Sequence, residues 1–273
     1  MAMKDSLLSL DLSPEDCLYR ILRDDAGNKL VLCVHLKDLD LIPDESQTYG
    51  PEVIQHLSKL KNWHSRWNTL TVSKNETETR SEQDLFQPQA LPKHHIFGDY
   101  GLSDILELQV QRDLNSRVFM VKQGERQCFL KIARFEFELN WLAQEIKAYH
   151  LLMEHNAKLP PKFLGYVYEE TEHRVIGFLF EEILGRYPGI EDLGMCQSTL
   201  HQLHRLGIAH GDVNKHNMLI TEEGVKLIDF EDSYVDTADK EKACEKMSEE
   251  IQGLARELVD NSGRGRPWTD EED

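Results

Sequence analysis

Residues Ile208 to Asp232 read IAHGDVNKHNMLITEEGVKLIDFED, and the fold turns on this stretch. Met218-Leu219-Ile220 and Val225-Lys226-Leu227-Ile228 are two short apolar runs, each long enough for a strand. Thr221-Glu222-Glu223-Gly224 joins them with a glycine, as a hairpin requires. Such a hairpin holds Asn217 at its entry and Asp229 at its exit, so both fall at one end. Asp212 sits five residues before Asn217, in a loop rich in His, Gly and Asn. Two carboxylates and one amide converging there offer oxygen ligands to Mg²⁺ and leave one carboxylate for a hydroxyl group.

His210-Gly211-Asp212-Val213-Asn214-Lys215-His216-Asn217 resembles the protein-kinase catalytic loop H-R-D-x-x-x-x-N, with Gly in place of Arg. Asp229-Phe230-Glu231 resembles the D-F-G metal motif, with Glu in place of Gly. The HGD form is similar to the atypical branch of the kinase superfamily, which includes aminoglycoside and choline kinase-like enzymes, Rio-like kinases and fungal kinase-like proteins. The two motifs in order, with a strand-turn-strand between them, are far more specific than either alone. The resemblance implies an α+β, bilobal protein kinase-like fold. It would comprise a β-meander N-lobe, one long helix and a minimal, mainly helical C-lobe, preceded by an extra N-terminal α/β region.

Upstream, the chain offers the other parts that the resemblance asks for. Ile105 to Gln111, Arg117 to Lys122 and Gln127 to Ala133 read as three strands joined by the turns Asp113-Leu114-Asn115-Ser116 and Gln123-Gly124-Glu125-Arg126. The first turn has no glycine, a departure from kinases in which a glycine-rich turn covers the phosphates. Lys131, flanked by apolar residues in the third strand, resembles the V-A-I-K lysine; without the downstream motifs it would read as a solvent-facing lysine. Phe135 to Glu154 reads as a helix, because Leu139, Leu142, Ile146, Tyr149 and Met153 share one face. The resemblance makes Glu145 the ion-pair partner of Lys131, with Glu138 as the rival. Phe163 to Tyr168 and Arg174 to Phe180 are further strands. They lead to a hinge at Glu181 to Gly185, where the Ile183 backbone would meet an adenine edge. Ile190 to Leu206 is a helix stopped by Gly207. A last helix runs to about Asp260, with Asp236 as its N-cap and Asp239 three residues on.

The remainder is bounded by composition. Residues 1–95 form an N-terminal region without a motif, with strands at Cys17 to Leu22 and Leu30 to Leu36 and a helix at Pro51 to Leu60. Trp63 and Trp67 read as packing residues, and Ser73 to Gln89 as a polar linker. Residues 100–185 are the expected N-lobe, 186–262 the C-lobe and 263–273 a disordered tail. A net charge of -18 and a pI of about 5.1 argue against a nucleic-acid or anionic-membrane surface. Five scattered cysteines indicate a reducing compartment rather than zinc or disulfides. No signal or membrane-spanning run is evident, so a soluble cytoplasmic or nuclear protein is expected.

The resemblance implies ATP-dependent phosphoryl transfer to a hydroxyl on a protein or a small molecule. Asp212 would be the catalytic base, Asn217 and Asp229 the Mg²⁺ ligands, and Lys131 the group that positions ATP. Asn214 stands where Ser/Thr protein kinases commonly carry a lysine, which leaves the acceptor open. The alternative is a pseudokinase, which keeps the fold as a nucleotide- or partner-binding module. The missing glycines favour it, and the presence of Lys131, Asp212, Asn217 and Asp229 together disfavours it.

Overall fold

The computed structural model describes residues 3–75, 78–235 and 240–268. It is a mixed α+β protein with four α-helices among the described residues. The chain divides into two compact units: residues 1–90 with the turn 169–174, and residues 91–168 with 175–273.

The first unit is built on a five-stranded sheet in sequential order: β1 (Lys4–Leu12), β2 (Cys17–Asp25), β3 (Asn28–Leu36), β4 (Thr69–Lys74) and β5 (Thr79–Gln83). All neighbours are antiparallel except β3 and β4, whose crossover carries α1 (Gly50–Leu57). Pro51 sits in the first turn of α1, where a missing N–H costs nothing. Cys17, Tyr19 and Ile21 alternate along β2 and are wholly buried, so the strand period sets its core face. Trp63 and Trp67 are buried edge-to-face at 5.5 Å, with the Arg23 guanidinium over both rings. The stretch expected as a polar linker contains β5. Its side chains are polar because an edge strand pairs through its main chain, which leaves no apolar pattern to read.

The second unit opens with a six-stranded sheet. Its strands are β6 (Leu102–Asp104), β7 (Gln109–Asp113), β8 (Val118–Gln123), β9 (Arg126–Ile132), β10 (Phe163–Tyr168) and β11 (Val175–Glu181). Their spatial order is β6-β10-β11-β9-β8-β7, antiparallel except where β6 meets β10. The strand expected from Ile105 begins later. Ile105–Glu107 forms a 3-10 turn instead, because the Asp104 carboxylate accepts the Leu106 N–H at 2.9 Å. Helix α2 (Leu139–Glu154) crosses between β9 and β10, and Leu142, Ile146 and Tyr149 on it are buried. Its onset also lies later than expected. Residues Glu136–Glu138 form a 3-10 turn in which Glu138 accepts from the Arg134 and Phe135 N–H groups.

Beyond β11 come α3 (Leu193–Arg205), the hairpin β12 (Met218–Thr221) and β13 (Gly224–Leu227), and α4 (Lys240–Val259). Gly207, at φ 78°, takes the left-handed turn that ends α3. Leu200 and Leu203 of α3 share a core with Leu254 and Leu258 of α4. The expected N-cap at Asp236 and its partner Asp239 lie outside the described residues. The chain from Gly263 to Trp268, expected to be disordered, is hydrogen-bonded to the body of this unit: the Trp268 N–H donates to the Leu114 carbonyl at 2.7 Å. This order of elements is compatible with a bilobal kinase-like fold. No helix among the described residues is long and apolar enough to cross a membrane.

Candidate active site

The β12–β13 hairpin places its two polar ends side by side. Met218 pairs with Leu227, and the Ile228 N–H donates to the Asn217 carbonyl at 3.1 Å. Asn217 and Asp229 therefore leave the hairpin at the same end. Asp229 takes a left-handed backbone, φ 65°, which costs a non-glycine residue about 1 kcal/mol or more. His210 anchors the preceding loop to this corner. Its Nε2 lies 3.0 Å from the Ile228 carbonyl oxygen, which can only accept, so Nε2 carries the proton. The His210 ring also packs on Phe230 at 4.9 Å.

The loop at Asp212 is built from its own side chains. Asn217 Nδ2 and Asn214 Nδ2 each donate to Asp212 Oδ2 at 3.0 Å. Asn214 Oδ1 in turn accepts the His216 and Asn217 N–H groups, closing a single 3-10 turn. Gly211 has φ 87°, and a Cβ there would meet the Asp232 carbonyl oxygen at 1.9 Å, so only glycine fits. The Gly211 N–H donates to Glu250 Oε1 at 2.7 Å, and Glu250 Oε2 lies 2.6 Å from His204. Two helices thus grip the loop from behind.

Lys131, in β9, lies at the centre of a buried charge cluster. Its Nζ is 2.5 Å from Glu145 Oε2, 2.7 Å from Asp229 Oδ1 and 3.1 Å from Glu231 Oε1. Glu231 is held a second time by Arg117 Nη2 at 2.7 Å. Glu138, the other candidate for Lys131, is bound instead to Arg134 at 2.7 Å. Burial works to lower the Lys131 pKa, but the carboxylates of Asp229, Glu145 and Glu231 outweigh it and raise the pKa above the ordinary lysine value. Burial lifts Glu145 to about 7, even with Lys131 pulling it down. Asp229 is also pushed up by burial, yet the Lys131 ammonium wins and holds it below the usual carboxylate range.

Glu145, Asp229 and Glu231 offer carboxylate oxygens within 4.8 Å of one another, a spacing that suits a cation. The Lys131 ammonium takes that position, so the trio is a lysine cradle rather than an independent metal site. Asp229 faces a second direction as well, since its side chain remains 44% exposed. Asn217 points its amide nitrogen at Asp212, which turns its Oδ1 away from that carboxylate. An amide oxygen and a carboxylate at one hairpin end are a donor set suited to a hard cation such as Mg²⁺.

A cavity of about 600 Å³ is lined in part by His216 and Ile228, the residues that precede Asn217 and Asp229 in the chain. Val118, Met120, Phe129 and Phe180 line one side, Leu219 and Ile228 another, and Ile183 and Gly185 border it. Ile183, the residue expected to meet an adenine edge, is among the residues that border this cavity. A cavity of about 640 Å³ lies elsewhere, between α2 and α4, and its lining contains none of the candidate residues. Sequence reasoning missed Arg117, Glu250 and the packing partners of Lys131 at Glu231. Only Glu231 had a local signal, as the residue that replaces the third position of the D-F-G pattern.

Comparison with known proteins points the same way. A model of the lipopolysaccharide kinase (Kdo/WaaP) family, part of the protein kinase-like superfamily, matches residues 191–270, which include both motifs. A Caenorhabditis elegans protein described as a "putative tyrosine-protein kinase" is 26% identical over 181 residues, covering 58% of this chain and 52% of its own. The chain spans about half the length of this curated relative. Both similarities are to proteins described as kinases.

Proposed function

We propose that the chain is an ATP-dependent phosphotransferase with a bilobal protein kinase-like domain, acting on a hydroxyl of a protein or a small molecule. The observation that carries this reading is the convergence on one corner of the Lys131–Glu145 pair, Asp229, and the Asp212–Asn217 hydrogen bond. In this reading Lys131 binds the α- and β-phosphates, and Glu145 keeps its side chain extended. Asp229 and Asn217 would hold Mg²⁺, which supplies charge neutralisation between the phosphates when bound. Asp212 orients the acceptor hydroxyl and accepts its proton as the oxygen bonds to the γ-phosphorus and the bond to the β-phosphate oxygen breaks. The two asparagine amides on Asp212 Oδ2 fix the carboxylate for that approach. The apolar cavity beside Ile183 suits a purine.

A second reading, a nucleotide- or partner-binding module without turnover, has two observations in its favour. The β7–β8 turn lacks the glycines that let backbone N–H groups approach phosphates, and Lys131 is already satisfied by three carboxylates. Thermal stabilisation by MgATP, compared between wild type and Asp229→Ala, tests the nucleotide site. No shift in the wild type at millimolar MgATP would sink both readings as far as nucleotide is concerned. Asp212→Ala then separates them: loss of phosphoryl transfer with MgATP binding retained marks the enzyme.

A further inference from the structure

The segment after α4 does not leave the protein. Arg264 Nη2 donates to the Val213 carbonyl at 3.2 Å and to Glu257 Oε2 at 2.8 Å, and lies 3.7 Å from Asp212 Oδ1. Gly265 passes so close to Asn214 that a Cβ would sit 3.0 Å from Oδ1. Two further hydrogen bonds fix the far end of the segment to β7 and its turn. The Trp268 N–H donates to the Leu114 carbonyl at 2.7 Å, and Arg112 Nη2 donates to the Trp268 carbonyl at 3.1 Å. Gly263 to Trp268 thus bridges the loop of Asp212 and the turn after β7.

Between these anchors, Arg266, Pro267 and Trp268 line the same cavity as Ile183, Phe129 and Ile228. With the segment in place the cavity still measures about 600 Å³. That is within the range of roughly 300–1,000 Å³ usual for small-molecule sites. The segment is therefore a wall of the cavity and not a plug in it. The walls are otherwise mostly apolar, and the segment adds a guanidinium and an indole, with Arg112 facing from β7. In a chain of net charge -18, two arginines on one cavity bias it towards an anionic ligand with a flat apolar part.

We propose that Arg266 and Trp268 belong to the nucleotide-binding site, closing it on the side that a glycine-rich turn closes in other kinases. This rests on the phosphotransferase reading above. Trp268 contributes apolar and stacking contact to the nucleoside, and clamps the glycine-free turn through Leu114. Arg266 contributes charge to the polyphosphate.

The test is calorimetric titration of the full chain with MgATP and, separately, with adenosine. Trp268→Ala is expected to weaken both ligands about tenfold, the size of a lost base–aromatic contact, and Trp268→Phe to retain most of the affinity. Arg266→Ala is expected to weaken MgATP about tenfold and adenosine less than twofold, with the difference shrinking at high salt. Trp268 is half-exposed, so each variant is expected to melt with the wild type when unliganded. Unchanged affinity in both alanine variants overturns this assignment and leaves the phosphotransferase reading standing. Tighter MgATP binding in them also overturns it, because the segment would then obstruct the site. A wild type that binds neither ligand overturns both proposals.

Discussion

Lys131 Nζ lies 2.5 Å from Glu145 Oε2, and both side chains are almost wholly buried. The strand lysine and the helix glutamate meet because both long side chains reach the corner that Asp229 occupies. Removing Lys131 leaves Glu145 buried without its cation, which costs about 3–5 kcal/mol. Of the other two carboxylates on Lys131, Asp229 is half-exposed and Glu231 keeps Arg117, so most of the loss sits at Glu145. Lys131→Met is therefore expected to lower stability by about 3 kcal/mol in urea denaturation. Adding Glu145→Gln to it should recover most of that loss without recovering phosphoryl transfer. If the double variant is no more stable than the single, the pair is not the coupled unit described above.

Asp212 is held by two amide donors on Oδ2, and Arg264 stands 3.7 Å from Oδ1. Asp212→Asn keeps the size of the side chain but removes its ability to accept a proton. The expected result is a fall in kcat of about 10²–10⁴-fold, the usual contribution of a positioned general base, with MgATP affinity within about twofold of wild type. Single-turnover kinetics with a surrogate hydroxyl acceptor would show this. Equal loss of affinity and rate would mean that Asp212 acts in binding instead.

The locations of these groups were readable in the sequence to very different degrees. The hairpin around Glu222 and Glu223 and the placement of Asn217 and Asp229 at one end of it follow from local chain statistics, since turn chemistry and strand period act over a few residues. The face of α2 that carries Glu145 follows from helical period in the same way. Two features had no local signature. Arg117 reaches Glu231 across 114 positions, and Glu250 reaches the Gly211 N–H across 39. Such ion pairs and hydrogen bonds are set by tertiary packing, and any surface glutamate would have looked the same. The stretches at Thr79–Gln83 and Gly263–Trp268 were hidden for a related reason: the first pairs through its main chain, and the second is held by one main-chain bond to Leu114 and by the Arg264 and Arg112 side chains, none of which leaves a periodic pattern. Helix onsets at Leu139 and Leu193 were displaced because acidic side chains, Glu138 and Asp192, turn back on the preceding N–H groups.

Gly211 is the tightest backbone position in the site. Its φ of 87°, and the 1.9 Å at which a Cβ would meet the Asp232 carbonyl oxygen, exclude any side chain. Gly211→Ala is expected to cost about 2 kcal/mol or more, from left-handed strain plus displacement of the loop, and to disrupt the Glu250 contact. Activity should fall by more than the stability loss explains, because Asp212 is the next residue. Melting curves and initial rates measured below the transition would separate the two effects. A variant with wild-type rate would mean that the loop tolerates the shift.

His150, on α2, is buried beside Phe97 and Phe163, with Nε2 3.1 Å from Tyr166 Oη. The Tyr166 hydroxyl donates its proton to the Phe97 carbonyl at 3.0 Å, so the imidazole Nε2–H is the donor to Tyr166. Burial lowers the His150 pKa to about 4, whereas the unfolded chain keeps the ordinary value near 6.5. Between these two values the unfolded state binds more protons. The His150 contribution is therefore complete above about pH 6.5 and is lost as the pH falls towards 4. From pH 7 to pH 5 the expected loss is about 1–2 kcal/mol. His150→Phe removes the titrating group and should flatten this part of the profile while leaving the carboxylate-driven loss at lower pH. Urea denaturation of both proteins at half-unit steps from pH 7 to 5 checks it, and parallel slopes would show that another group carries the dependence.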